Sequence, residues 1–190
     1  MSLQETLPDI VAFCGGKGHG KSTAMKVLVD AGYTPVNFAD PMKAACAIIF
    51  GLTAEEMEDE VIKETPLTRW PYLSPRAIMQ KVGTDLFREW LPETWTRAYD
   101  RRVDEVLGGG GKVATSDTRF GNEVPSIKKP RQARKHKSLL IRVTDPRKPL
   151  GKDPHPSEVE SASLPADITI TNDRTIRDLQ LAVSMVVGLD

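Results

Sequence analysis

Apolar residues recur along the chain in short blocks that alternate between two periods. Ile10-Val11-Ala12-Phe13-Cys14 is apolar at every position and stops at glycine, the form of a strand buried on both faces of a parallel sheet. From Lys21 onward Ala24, Val27, Leu28 and Ala31 return at spacings of three and four, and Gly32 stands where a helix closes. Residues 35–39 predict a second strand and 41–50 a second helix, with Pro41 in its first turn and Gly51 past its end. Helical spacing resumes over 75–90 and 93–107, and the glycines at 108–111 end the latter. Residues 112–116, 139–143 and 168–170 predict three further strands. Ile176, Leu179, Val183 and Val186 mark one face of a closing helix over 174–187. Five short strands alternating with helices predict a three-layer α/β/α fold around a parallel sheet with right-handed crossovers.

The connection between the first strand and the first helix carries the most chemistry. Gly15-Gly16-Lys17-Gly18-His19-Gly20-Lys21-Ser22 fits the pattern G-x-x-x-x-G-K-[ST], with the strand before it and helix after it that the pattern requires. Gly15, Gly16, Gly18 and Gly20 let successive backbone N–H groups and the helix N-terminus point at phosphate. Lys21 is then expected to bridge the β- and γ-phosphates of ATP, and Ser22 to offer its hydroxyl to Mg²⁺. Lys17, His19 and Thr23 complete the ATP-binding segment. Asp117, at the end of the strand 112–116, is a candidate magnesium carboxylate or substrate acceptor, or else the N-cap of a helix starting near Gly121. Arg119, two residues on, either shares that cleft or makes a surface ion pair. A GTPase would carry a base-reading Asn-Lys-x-Asp run, which is absent. Small size, scattered arginines and a proline-bearing excursion over 53–73 fit a nucleotide or nucleoside-phosphate kinase. Such an enzyme brings two polyanions together, and so needs cations and mobile flaps.

Composition narrows the field further. The 190 residues are enough for one sizeable domain, and 26 Lys+Arg against 26 Asp+Glu give a net charge of zero. That balance excludes a uniformly basic nucleic-acid wrapper. The zero is a cancellation: residues 128–152 sum to +9 while 53–60 sum to −5. The basic run 128–137, interrupted by Pro130, reads as a solvated helix face or a dimer surface. Alternatively it is a nucleic-acid contact of a P-loop ATPase. Cys14 and Cys46, both in apolar surroundings, read as reduced core thiols. No apolar run reaches membrane-spanning length and residues 1–9 are acidic and polar, so no membrane association and a cytoplasmic location are expected.

Five motifs then resemble, in order and spacing, the bacteriophage deoxynucleoside monophosphate kinases. They are Ala39-Asp40-Pro41-Met42-Lys43, Met79-Gln80-Lys81-Val82-Gly83-Thr84-Asp85-Leu86, Ser116-Asp117-Thr118-Arg119, His155-Pro156-Ser157-Glu158 and Ile168-Thr169-Ile170-Thr171-Asn172-Asp173. The resemblance implies a single P-loop kinase domain of nucleoside monophosphate kinase type. Its core would cover 8–52, 108–144 and 165–190, with a substrate-binding insertion over about 53–107 and a lid over about 145–164. It implies ATP and Mg²⁺ as phosphoryl donor and cofactor, a deoxynucleoside monophosphate as acceptor, a host-cytoplasm location and a homodimer. By resemblance Lys17 touches the phosphates of both nucleotides. Lys43, Lys63 and Arg76 stand near the acceptor phosphate, Lys63 where the family has an arginine. Gln80, Gly83, Thr84 and Trp95 line the acceptor site, Trp95 having plain core packing as its alternative. Asp117, Arg119 and Glu123 meet the acceptor's sugar and base, and Glu158 belongs to the same substrate site. Lys17, Lys21, Arg76, Asp117 and Arg119 form the catalytic set. Arg142 and Arg147 clamp transferred charge as the lid closes. Asn172 holds adenine against backbone, unless Asn172-Asp173 caps the last helix. Dephospho-CoA kinase is the nearest rival; it accounts for the loop and Asp40 but not for Gly83-Thr84-Asp85 or Asp117-Thr118-Arg119.

Overall fold

The structure, a computed structural model, describes residues 7–131, 136–148 and 156–189. Among them five strands form one parallel sheet: β1 (Ile10–Cys14), β2 (Thr34–Pro35), β3 (Val113–Thr115), β4 (Ser138–Thr144) and β5 (Ile168–Thr171), in the order β2-β3-β1-β4-β5. β1 lies in the middle, and all five of its residues are fully buried, as its unbroken apolar run requires. Its register sets Ala12 opposite Thr115 of β3 and Cys14 opposite Arg142 of β4. After β3 the chain crosses β1 to reach β4, so the sheet reverses its order beside β1. Ligands of open α/β sheets bind at the carboxyl ends of the strands at such a switch point.

The chain divides into two compact units. The first comprises residues up to Asn37 and from Asp100 on; the second is Phe38–Tyr99. In the first, α1 (Lys21–Asp30) and α8 (Ile176–Val187) bury Ala24, Leu28, Leu179 and Val183 against Val11, Phe13, Ile141 and Val143 of the sheet. α8 starts at a capping box in which Thr175 accepts from Asp178 N at 3.2 Å and Asp178 Oδ2 accepts from Thr175 N at 3.1 Å. β2 is shorter than the strand predicted over 35–39. Pro35 has no N–H to give the ladder, and at Asn37 a side chain replaces backbone pairing, its Oδ1 accepting from Ser116 N at 3.0 Å. α6 (Val124–Lys128) stops ahead of Pro130, as a proline there dictates. Of the basic run, Lys128 pairs with Asp167 and Lys129 with Asp100, while the buried Arg131 donates to Asp100 Oδ1 at 2.6 Å and Asp104 Oδ1 at 2.8 Å. Residues 132–135 lie outside the described residues. Cys14 and Cys46 are buried and free, as expected.

The second unit has its own core of Cys46, Leu52, Met57, Leu67, Ile78 and Val82. Its helices are α2 (Asp40–Phe50), α3 (Ala54–Glu58), a 3₁₀ turn Ile62–Glu64 and α4 (Pro75–Gln80). α2 falls in this unit rather than in the sheet-bearing core where the sequence placed residues up to 52. The helix predicted over 75–90 is not uniform. Past Gln80 it widens to a π-helix over Lys81–Arg88, where the Gly83 carbonyl accepts from Trp95 Nε1 at 2.8 Å. A fork of Arg69 onto Glu56 ties the excursion together: Nη1 donates to Oε1 and Nη2 to Oε2, both at 2.7 Å. Glu56 Oε2 also accepts from Thr53 N at 2.9 Å. The α5 helix (Thr94–Gly108) leads back to the sheet. No helix among the described residues is long and apolar enough to cross a membrane.

The Arg69 guanidinium and the Thr53 N–H hold the Glu56 carboxyl down at about 2, from 4.5. A carboxyl depressed by folding stabilises above its unfolded value, and that stabilisation is lost as pH falls from about 4.5 through about 2. A carboxyl-carbon NMR titration should place Glu56 at the bottom of that window in the wild type, and Arg69→Gln should return it towards the ordinary glutamate range. An unchanged Glu56 titration in the variant would refute the pairing.

Candidate active site

Everything gathered at the carboxyl end of β1 follows from the glycines after it. Gly15 has φ +125°, and a Cβ there would lie 2.2 Å from Val143 O, so only glycine lets the loop turn this close to β4. Gly18 and Gly20 also have positive φ, at +74° and +102°. Gly16 faces the His19 ring, whose nitrogens a Cβ would meet at 2.6 Å and 3.0 Å. Lys21 Nζ donates to Gly15 O at 2.8 Å and Gly16 O at 2.7 Å, which lays the ammonium inside the curl of the loop. Lys17 is exposed at the loop's tip. Ser22 and Thr23 follow Lys21 in the first turn of α1, which carries no carboxylate, so nothing there offsets the helix N-terminus as an anion site.

The outer half of the loop is gripped by turns after β4 and β5. His19 Nε2 lies 2.8 Å from Lys148 O and Nδ1 3.3 Å from Val143 O; a neutral ring has one N–H to give. Lys148 Nζ donates to Gly18 O at 3.0 Å and Asn172 Nδ2 to His19 O at 3.0 Å. Arg147 forks onto Asp145 at 2.8 Å and 3.0 Å and reaches Asn172 O at 2.8 Å. That fork holds the Asp145 carboxyl below its ordinary range and raises the guanidinium's. Asn172 is therefore not the cap of the last helix, a place Thr175 takes. Arg142, given by resemblance the task of clamping charge as the lid closes, lies within β4, where the strand predicted over 139–143 puts it, beside Cys14 and with its Nη2 on the Leu164 carbonyl. Burial pushes the Cys14 thiol up, against the opposing pull of Arg142 and Lys21.

On the other side of β1, Asp117 is half-buried two residues past the end of β3, level with Cys14 by the strand register. It does not cap the short helical turn Gly121–Glu123, which begins after Phe120. Arg119 is exposed. Glu123, expected to meet the acceptor, is 1% exposed, and its Oε2 accepts from Arg119 N at 2.7 Å and Phe120 N at 3.1 Å; it shapes the loop that presents Asp117 and Arg119. Glu158 stands in α7 (Pro156–Ser163), but its side chain, like His155, lies outside the described residues. Three participants carried no motif: Lys148, the clamping role of His19, and Ser161 of α7, whose buried Oγ accepts from Gly15 N at 3.0 Å.

In the second unit each cation assigned to the acceptor phosphate is held by a carboxylate: Lys43 by Glu58, Lys63 by Glu60, Arg76 by Glu64. Gln80 is exposed at the end of α4, and Gly83 and Thr84 lie in the π-helix. Trp95 is buried against Phe87, ring centroids 5.3 Å apart, with its N–H on Gly83; this is the core packing held open as its alternative.

Gly20→Ala tests the loop geometry. Its Cβ would meet Asn172 Nδ2 at 2.8 Å and Leu179 Cδ2 at 2.9 Å at a left-handed φ. The backbone alone costs roughly 1–2 kcal/mol, and the clash displaces Asn172 from His19. Titration calorimetry should show ATP affinity falling by more than about tenfold, an extra loss of at least about 1.4 kcal/mol; wild-type affinity would contradict the close approach.

No protein-family model matches the chain. A protein of Acanthamoeba polyphaga mimivirus described as "Putative deoxynucleotide monophosphate kinase" is 35% identical over 182 residues, covering 89% of this chain and 91% of its own. Among solved structures, the dephospho-CoA kinase of Campylobacter jejuni superposes with a TM-score of 0.50 at 12% identity over 95% of this chain and 96% of its own, a likeness of fold. The fold is that of the P-loop kinases, and by its relationship to the mimivirus protein the chain belongs to the deoxynucleotide monophosphate kinase family.

Proposed function

We propose that the protein transfers the γ-phosphoryl group of ATP to deoxynucleoside 5′-monophosphates. The observation that carries this reading is the 35% identity to the mimivirus protein across nine-tenths of the chain, joined to a complete phosphate loop on β1. The loop's N–H groups and the α1 N-terminus receive the ATP phosphates, and Lys21 turns from the Gly15 and Gly16 carbonyls to the β- and γ-phosphates. Mg²⁺ would be held by the Ser22 hydroxyl, in the first turn of α1, and the Asp117 carboxylate, two residues past β3, both hard oxygen ligands. When bound, the ion neutralises charge on the β- and γ-oxygens.

The acceptor phosphate is anionic at neutral pH and needs no general base, so positioning and charge neutralisation carry the rate. Lys17, Arg119 and Arg147 supply cations on the first unit. Lys43, Lys63 and Arg76 would take the acceptor's phosphate by exchanging their carboxylate partners. For Lys43 and Arg76 that exchange is inexpensive, because an exposed ion pair is worth only about 0.2–1 kcal/mol and a phosphate dianion offers more charge; the Lys63 ammonium is nearly buried and gives up its partner less readily. Gln80, Thr84 and Glu158 remain assigned to the acceptor and Asn172 to the adenine edge. A cytoplasmic setting and a homodimer belong to the same proposal. Among the described residues of the basic run, Lys128, Lys129 and Arg131 are engaged by Asp100, Asp104 and Asp167 rather than open to a nucleic-acid backbone.

Purified protein with ATP, Mg²⁺ and each deoxynucleoside monophosphate in turn should yield a diphosphate from at least one. Phosphorylation of dephospho-CoA and of no monophosphate would refute the reading. Lys21→Ala should lower kcat by at least about 100-fold, in line with the loss of one transition-state charge donor, while circular dichroism stays unchanged.

A further inference from the structure

The Ser161 hydroxyl joins three segments that sequence and topology assign separately to the site. It accepts from Gly15 N at 3.0 Å, and its oxygen stands 3.1 Å from both Gly15 O and Thr118 O. Ser161 is 1% exposed, Thr118 is fully buried, and Thr118 lies between Asp117 and Arg119. One side chain near the end of α7 thus touches the first glycine of the phosphate loop and the loop after β3. It does so across 146 and 43 residues of sequence.

A hydroxyl has one proton, so with Gly15 N–H on a lone pair it donates to one carbonyl at a time. Gly15 O has a donor in Lys21 Nζ at 2.8 Å, and the Ser161 proton serves Thr118 O. Without the hydroxyl, Gly15 N–H and Thr118 O would both lose a partner at buried positions, where an unmet group is costly, and the first turn of the loop would lose its tie to the segment after β3.

We propose that Ser161 is a positioning residue for the phosphate loop, its one buried hydroxyl holding Gly15 N–H and the Thr118 carbonyl together. The proposal rests on residues 15–23 binding ATP. It fixes the loop's first turn without a contact to ATP, and it couples the loop to the segment carrying Asp117 and Arg119.

The test compares Ser161→Ala, Ser161→Cys and Ser161→Thr with wild type, by titration calorimetry with Mg·ATP and by steady-state kinetics. Ser161→Ala should weaken ATP binding and raise the ATP KM about tenfold, the scale of one buried group left unmet. Ser161→Thr, which keeps the hydroxyl, should recover most of the affinity. If Ser161→Ala fails to fold, Ser161→Cys, nearly isosteric and a poor acceptor, is read against the same criteria. A hydroxyl needed only for folding would lower kcat per mole of protein and leave both KM values alone. That pattern, or wild-type ATP affinity in the variant, overturns the proposal. A wild-type chain that binds no ATP overturns the reading of the loop and this proposal with it. One that binds ATP but phosphorylates no monophosphate overturns only the proposed acceptor, and the calorimetric comparison still decides Ser161.

Discussion

The approach of Gly15 to β4 is the constraint on which the site depends. Backbone N–H groups bind phosphate only if the loop carrying them curls tightly, and this loop curls because Gly15 passes where a Cβ would sit 2.2 Å from Val143 O. That passage is possible only where β1 and β4 are neighbours, which the register Cys14 to Arg142 provides. The buried apolar strand, the strand order and the glycine are therefore one requirement expressed three times. A side chain at Gly15 would not weaken one contact but push the loop out of the sheet's edge, and with it the N-terminus of α1.

Charge is arranged on the same principle of local settlement. Opposite charges are paired locally within each unit: Glu58, Glu60 and Glu64 hold Lys43, Lys63 and Arg76 in the second, and Asp100, Asp104 and Asp167 hold Lys128, Lys129 and Arg131 in the first. The two kinds of pair differ in consequence. Arg131 is buried, so losing its aspartates would strand a charge at a cost of several kcal/mol. Lys128 and Lys129 keep water-facing pairs, as Lys43 and Arg76 do, while the Lys63 side chain is nearly buried. Burial of each pair, rather than charge density along the sequence, separates the cations held as structure from those within reach of solvent.

Much of this was legible in advance for a physical reason. The phosphate loop and β1 are local features, fixed by residues adjacent in sequence, and strand periodicity was enough to expect the parallel sheet. What was not legible depends on partners remote in sequence. Glu123 is a polar residue in a motif and reads as a ligand; only the fold reveals that it folds back onto Arg119 N and Phe120 N. Arg142 falls in a strand the apolar run predicts, but that its guanidinium turns to the Leu164 carbonyl depends on a partner 22 residues away. Helical spacing over 75–90 gave no sign of the π-helix, because the Trp95 N–H that takes the Gly83 carbonyl comes from another helix.

Topology explains which residues of the site lay within reach of the sequence. In a sheet that switches order beside β1, the ends of β3, β4 and β5 must face the phosphate loop. Asp117, Arg147 and Asn172 occupy those ends, so strand order alone would nominate them whatever their chemistry. Ser161 escapes that rule, since it enters from the last turns of α7 rather than from a strand end. Its buried hydroxyl supports the loop from inside the fold. A residue in that position is shaped by the backbone groups it must satisfy. Serine suits it because the site calls for one acceptor and one donor on a single small side chain.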